Sequence, residues 1–239
     1  MAKLYVVGIG PGGYEHFTVK AIETIKKCQV VVGYTYYIKL VKDLLEGKEI
    51  IKTGMRGEIE RCQKAIECVQ NGKDTCIIST GDAGLYGMAG PILEMAEDIE
   101  VEVVPGVSSA FAAAAELGAP IMHDFCSISL SDLLTPWKVI EKRLIHAAQA
   151  DFVIALYNPK SKGRVDHIKK AIALIKDNID SNRQIAMVKN AGRDGNERML
   201  ADLDTIDYDF IDMKTIVIIG NRCTFKKGVY LVTPRGYHI

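Results

Sequence analysis

The sequence predicts an α/β protein built as two domains, and three observations carry the prediction. Strand-like and helix-like runs alternate along the chain, the pattern that makes parallel sheets. Five of the strand-like runs end in glycine-rich or polar loops. Near the middle, Gly118-Ala119-Pro120 breaks the alternation, and the segment from there to about Asp124 is the best linker in the chain. The expected domains are residues 1–119 and 120–239. The 239 residues are roughly 1.6 times a typical domain, and 48% hydrophobic with 25% charged residues is the mix of an ordinary globular core and surface.

Leu4 to Ile9 (LYVVGI) is rich in β-formers and runs into glycines, so it reads as the first strand. Val19, Ile22 and Ile25 then recur at helical spacing, with Thr18 placed as N-cap and Phe17 placed to staple onto Ile22. Val30 to Val32 is the second strand. Ile59, Cys62, Ile66 and Val69 mark a helix that Gly72 stops, and Thr75 to Thr80 is the third strand. Pro91 to Ile99 reads as a helix with proline in its first turn, Val101 to Val104 as the fourth strand, and Ser108 to Leu117 as an alanine-rich helix capped by Ser108. The second half continues with a strand (Cys126 to Leu130), a helix (Trp137, Ile140, Leu144, Ala147), a strand (Phe152 to Tyr157), a helix (Ile168, Ile172, Ile175) and a strand (Ile185 to Val188). The last runs, Thr215 to Gly220 and Val229 to Thr233, are joined by a short glycine-containing loop and are expected to pair antiparallel.

Charge and cysteine usage narrow the function classes. With 30 Lys+Arg against 30 Asp+Glu, the chain has no overall basic footprint for nucleic acid or an anionic membrane, and only a local patch stays open. The longest apolar stretch, Val101 to Ala119, is interrupted by Glu102, Pro105, Ser108, Ser109 and Glu116, short of the roughly 18 apolar residues of a membrane helix. Met1 to Ile9 lacks a secretory pattern, so a cytoplasmic protein is expected. The six cysteines form no C-x-x-C pair, so no metal site is expected and the thiols should be buried and reduced. Cys62 and Cys68, about 600° apart around one helix, should not share a face.

Gly8, Gly10 and Gly13 satisfy G-x-G-x-x-G after a strand. A dinucleotide site would also need a helix starting inside the motif, so that its N–H groups meet the pyrophosphate, and an acid about 20 residues on for the ribose. The helical periodicity starts only near Val19, and the first acid after the second strand is Asp43. A purely structural strand-to-loop turn is the other reading.

Four further loops follow predicted strands: Gly81-Asp82-Ala83-Gly84-Leu85-Tyr86-Gly87, Pro105-Gly106-Val107-Ser108-Ser109, Tyr157-Asn158-Pro159-Lys160-Ser161 and Lys189-Asn190-Ala191-Gly192-Arg193. In a parallel sheet such loops share the edge where ligands bind. The Gly-Pro loop at 8–12, Gly-Asp-x-x-x-Tyr-Gly at 81–87 and Val-Pro-Gly-Val-Ser-Ser at 104–109 resemble, in order and spacing, the motifs of the tetrapyrrole methylase family, across nearly the whole chain. Ala83 stands where that family often has proline. Ser129 to Trp137 (SLSDLLTPW), with His123-Asp124-Phe125 before it and Tyr157-Asn158-Pro159 after it, is similar to the branch that methylates corrin precursors at C17 with ring contraction.

The resemblance implies S-adenosylmethionine held in a cleft between the two α/β domains. Pro11, Gly81, Asp82, Leu85, Ser108 and Ser109 would bind it from the first domain, and Tyr157, Asn158 and Ala191 from the second. Glycines allow close backbone approach, and serine hydroxyls both donate and accept. A cobalt-tetrapyrrole is the implied substrate and a homodimer the implied assembly, with no nucleic-acid or membrane partner. For proton transfer during ring contraction the candidates are Asp82, His123 and Asp124, although Asp82 also reads as a loop brace and His123 as a linker imidazole. A polycarboxylate substrate calls for local cations: Arg56, Arg193, Lys160, Lys162 and Arg164 are placed in loops, with Ser131 beside them in the substrate group. Leu133, Leu134 and Trp137 read either as a floor for the macrocycle or as the start of a helix face. The competing readings are another corrin position, an RNA or protein substrate, and an NAD(P)-dependent oxidoreductase.

Overall fold

The structure, a computed structural model, describes residues 2–237. It divides into two compact α/β units, one up to Ser109 and one from Ala110 onward.

The first unit is a parallel sheet covered on both faces. Its strands are β1 (Lys3–Gly8), β2 (Val30–Tyr34), β3 (Glu49–Thr53), β4 (Thr75–Ser79) and β5 (Glu100–Val104), and its helices α1 (Val19–Lys27), α2 (Thr35–Leu40), α3 (Glu58–Gln70) and α4 (Ala89–Met95). The strand order is β3-β2-β4-β1-β5, every pair parallel. Because side chains alternate across a strand, Tyr5 and Val7 join Ala21 and Ile25 of α1 in one core, while Leu4 and Val6 join Cys62 and Ala65 of α3 and Ile92 of α4 in another. Burial on both faces is why LYVVGI is nearly continuous in apolar residues. Thr18 caps α1, its Oγ1 accepting the Ala21 N–H at 3.1 Å. Cys62 and Cys68 both reach the same core, against the expectation from their spacing: the buried face of α3 is wide, taking in Arg61, Cys62, Ala65, Cys68 and Val69. Four of the six thiols are buried, whereas Cys126 is partly covered and Cys223 is exposed.

The second unit holds α5 (Ser109–Leu117), β6 (Gly118–Ala119), β7 (Phe125–Ser129), α6 (Trp137–Gln149), β8 (Val153–Tyr157), α7 (His167–Lys176), β9 (Gln184–Lys189), β10 (Glu197–Asp202), β11 (Thr215–Ile219), β12 (Phe225–Lys227) and β13 (Tyr230–Val232). Its main sheet, β10-β9-β11-β8-β7, is mixed: β7 and β8 are parallel, and β11 is antiparallel to both β8 and β9. α6 and α7 pack Ile140, Leu144, Ile168, Ile172 and Ile175 with Ile154, Leu156, Met187 and Val217 of the sheet. The expected pairing of Thr215–Gly220 with Val229–Thr233 does not form. All of β11 is buried in the middle of the sheet, where β8 and β9 occupy both of its sides, and β13 pairs instead with β12 and β6. The division also falls ten residues before the expected linker, because α5 is bound to the second unit: Ala110 N–H donates to the Tyr157 hydroxyl at 3.0 Å, and Phe111 meets Phe125 edge-on with centroids 5.7 Å apart.

Candidate functional site

In the first unit the register brings three loops to one edge. Gly8 pairs with Ser79 and Val7 with Val104, so the segments after β1, β4 and β5 leave the sheet side by side. They interlock through backbone. Gly10 N–H donates to Gly81 O at 3.1 Å and Gly81 N–H returns to Gly10 O at 2.6 Å. A Cβ on Gly8 would lie 2.7 Å from Gly106 N and 2.8 Å from Gly81 O, so only glycine admits all three loops. Asp82 locks them: Oδ1 accepts from Gly84 N–H at 2.8 Å and Oδ2 from Gly106 N–H at 3.0 Å. With both oxygens held by backbone donors, Asp82 fills the role of a loop brace.

The other first-unit candidates lie around this lock. Pro11 is buried, its carbonyl accepting from Thr80 Oγ1 at 3.5 Å. Gly81 sits at φ +72°, and an added Cβ there would meet nothing nearer than Ser109 Oγ at 3.7 Å, so the space over its Cα is open. Ser108 is buried and Leu85 half-buried. Arg56 is exposed in the turn between β3 and α3, at φ +64°. Sequence reasoning passed over Arg61, which is buried with no carboxylate partner among the described residues; its Nε donates to Thr53 Oγ1 at 2.9 Å and Nη2 to Gly54 O at 3.2 Å. Nothing in the spacing of an amphipathic helix marks such an arginine.

Within the second unit, Ser129 pairs with Tyr157, and Leu156 and Met187 both lie opposite Val217, which sets the ends of β7, β8 and β9 level. Tyr157 and Asn158, Ser131, and Ala191 with Arg193 therefore share one edge. Asn158, at φ +52°, donates from Nδ2 to Ser129 Oγ at 2.9 Å, and the Ser131 N–H donates to the same oxygen at 3.2 Å. Ala191 is buried, and Glu116 of α5 anchors its loop by accepting from Gly192 N–H at 2.8 Å. Arg193 closes a turn on Asn190 O at 2.9 Å. Lys160 is drawn to Tyr208 O at 3.1 Å and Lys162 is exposed. Leu133 and Leu134 project into solvent, whereas Trp137 packs on the core of α6.

His123 and Asp124 are at the other edge. They precede β7, five residues long, and so stand about 17 Å from its loop end. There they line an open cavity of about 330 Å³ with Asp151, Phe152, Asn221 and Arg235. Their placement separates them from the motif loops of their own unit. What the opposite, loop edge of β7 and β8 does carry is a pair that sequence reasoning missed. His167 Nε2 lies 2.9 Å from Asp132 Oδ2, and Arg164 Nη1 approaches Asp132 Oδ1 at 4.0 Å. The His167 hydrogen bond, helped by the charge of Arg164, holds the Asp132 carboxyl below its usual range. Thirty-five residues separate the partners, so no local pattern announces them.

A dinucleotide site has little support here. α1 starts at Val19, beyond a short 3₁₀ turn over Tyr14–His16, and the Gly10 N–H is already given to Gly81. Fold and loops together define a class: a doubly wound α/β unit whose ligand edge is made of interlocked glycine loops instead of a helix N-terminus, followed by a second α/β unit with a mixed sheet. A family model described as Tetrapyrrole (Corrin/Porphyrin) Methylases matches residues 3–207. The chain is 49% identical, over 98% of its length, to the probable cobalt-factor III C(17)-methyltransferase of Salmonella typhimurium, of which it covers 99%. It is 44% identical over 98% of its length to the cobalt-factor III methyltransferase of Priestia megaterium, covering 45% of that longer protein. The crystal structure of the methyltransferase CobJ matches with a TM-score of 0.93 at 31% identity, over 98% of this chain and all of that one. The chain belongs to the tetrapyrrole (corrin/porphyrin) methylase family. No helix among the described residues is long and apolar enough to cross a membrane.

Proposed function

We propose that this chain is an S-adenosylmethionine-dependent C-methyltransferase acting at C17 of cobalt-factor III or cobalt-precorrin-3B, with ring contraction, in the synthesis of cobalamin. The observation that carries the reading is the near full-length likeness to a C(17)-methyltransferase, 49% identical over 98% of one chain and 99% of the other. The residues present suit the cofactor: the space over Gly81 is open, and the serines at 108 and 109 add hydroxyls beside it. Pro11, Gly81, Asp82, Leu85, Ser108 and Ser109 would hold it from the first unit, with Tyr157, Asn158 and Ala191 assigned to it from the second. When bound, its sulfonium supplies an electrophilic methyl group, whose bond to sulfur breaks with the pair left on sulfur as the new carbon–carbon bond forms.

The chain's own part is then alignment and exclusion of water, since an electron-rich macrocycle carbon needs no side-chain nucleophile. Asp82 keeps the loops after β4 and β5 in register, and Ser129 with Asn158 fixes the turn after β8. Arg56, Ser131 and Arg193 are assigned to the carboxylates of the substrate. The reading also carries a cytoplasmic homodimer.

Two measurements test it. Titration calorimetry should give S-adenosylhomocysteine binding and no NAD(P) binding. Incubation with cobalt-factor III and S-adenosylmethionine should add one methyl group by mass spectrometry and shift the visible spectrum of the macrocycle. NAD(P) binding in place of S-adenosylhomocysteine overturns the class, and methylation of an earlier or later corrin intermediate instead moves the position.

A further inference from the structure

The pair at the loop edge of β7 and β8 has the construction of a proton-transfer group. A carboxylate only accepts, so in the neutral imidazole the 2.9 Å contact selects the tautomer with its proton on Nε2 and the lone pair on Nδ1. Nδ1 has no hydrogen-bond partner among the described residues. The imidazole cannot swing freely: its side chain is 15% exposed and its ring packs edge-on against Trp137, centroids 4.7 Å apart. Asp132 is itself fixed between His167 and Arg164, whose side chain is 12% exposed and whose buried Nε has no hydrogen-bond partner among the described residues. Among the described residues Asp132 is the charged group paired with the imidazole, Arg164 reaches that same carboxylate, and α6 brings the uncharged Trp137 ring against it. Beside this polar centre Leu133, Leu134 and Val165 are 64%, 98% and 50% exposed. Apolar side chains left in water around a tethered imidazole suit a flat apolar ligand carrying an acidic proton.

We propose that His167, oriented by Asp132, is the proton-transfer residue of this enzyme, accepting through Nδ1 a proton that the macrocycle must lose. The role rests on the methyltransferase reading above. Addition of a methyl group to a ring carbon raises the charge of the macrocycle by one, and loss of one proton from an acidic N–H, O–H or C–H restores it. In that step the electron pair of the broken bond stays on the macrocycle, the Nδ1 lone pair forms the new N–H bond, and the imidazolium returns its proton to solvent. Asp132 stabilises the imidazolium and fixes the ring. It is a positioning residue.

The test separates a base from a strut. His167→Gln keeps an N–H where Nε2 donates to Asp132 but removes the accepting nitrogen; Asp132→Asn keeps an acceptor but removes the charge. Wild type and both variants are compared with cobalt-factor III and S-adenosylmethionine for single-turnover rate between pH 5.5 and 9, for S-adenosylhomocysteine affinity and for melting temperature. The expected result is a loss of about 10²-fold or more in the His167→Gln rate, a smaller loss for Asp132→Asn, and an acidic limb of the pH profile that is present in wild type and absent in His167→Gln. Affinity and melting should stay near wild type. A His167→Gln rate within about threefold of wild type, or a loss matched by falling affinity or melting temperature, overturns the proposal alone. A wild-type chain that binds S-adenosylhomocysteine but turns over no corrin precursor overturns the methyltransferase position and this role with it.

Discussion

At the scale of single residues, the loop edge of the first unit depends on one carboxylate. Asp82 reaches backbone donors in two motif loops, Gly84 in its own and Gly106 after β5. Asp82→Ala strands the partly buried Gly106 N–H in the crowded space over Gly8, which should cost about 1 kcal/mol, the low end for an unpaired donor. The measurable outcome is a lower urea midpoint together with weaker S-adenosylhomocysteine binding, while Asp82→Asn, which keeps one acceptor oxygen, falls between. A stable variant with unchanged affinity would show that the loops hold themselves. The sequence already allowed Asp82 as a brace, because a short acid among glycines commonly fixes a turn. His167 and Asp132 were not legible in the same way: their pairing comes from the level ends of β7 and β8, a tertiary fact, whereas His123 and Asp124 drew notice only by lying next to the motif.

At the scale of elements, every interior strand of the two large sheets was readable, and of their edge strands β5 and β7 were. The strands that the sequence missed, β3, β6, β10 and β12, all lie at sheet edges. An interior strand must be apolar on two faces and shows itself as a run such as TIVII, while β3 (EIIKT) and β12 (FKK) face water and carry the charges that keep edges from pairing further. One charged side chain joins several elements at the opposite end of the second sheet. Asp151, at the end of α6, accepts from Arg183 Nη1 at 2.6 Å ahead of β9 and from Arg222 N and Nε at 2.9 and 2.8 Å after β11. Burial pushes this carboxyl up, but the Arg222 and Arg183 contacts outweigh it and leave the group below its usual range. A lowered folded value means the stabilisation is complete above the unfolded-state value of about 3.9 and is lost as pH falls through the folded one. Asp151→Asn should therefore destabilise by the low end of the roughly 3–5 kcal/mol of a broken buried pair, since the carboxylate is 21% exposed. Chemical denaturation should find that deficit at pH 7 and see it shrink toward pH 3; a deficit independent of pH would assign the loss to packing.

At the scale of the whole molecule, the chain is two units, and what read as their linker is structure. Gly118 and Ala119 pair with Leu231 and Val232, and Thr233 Oγ1 donates to Pro120 O at 2.5 Å, so the glycine and proline mark a strand bounded by turns inside the second unit. Composition could not separate that from a hinge, because both use the same residues to bend the chain. The assignment of the cofactor to residues of both units makes a prediction at this scale. A ligand that binds only the folded state stabilises it by about 2.7 kcal/mol at a concentration of 100 times its dissociation constant. Segments touching that ligand share the gain in their local openings, which is about 100-fold in exchange rate by the same relation. With S-adenosylhomocysteine present, amide exchange should slow at 81–87 and 105–109 in the first unit and at 157–158 and 190–192 in the second. Amides of β3, where no cofactor residue is assigned, should keep their rates. Protection confined to the first unit would remove Tyr157, Asn158 and Ala191 from the cofactor set and leave their edge to the substrate and to His167.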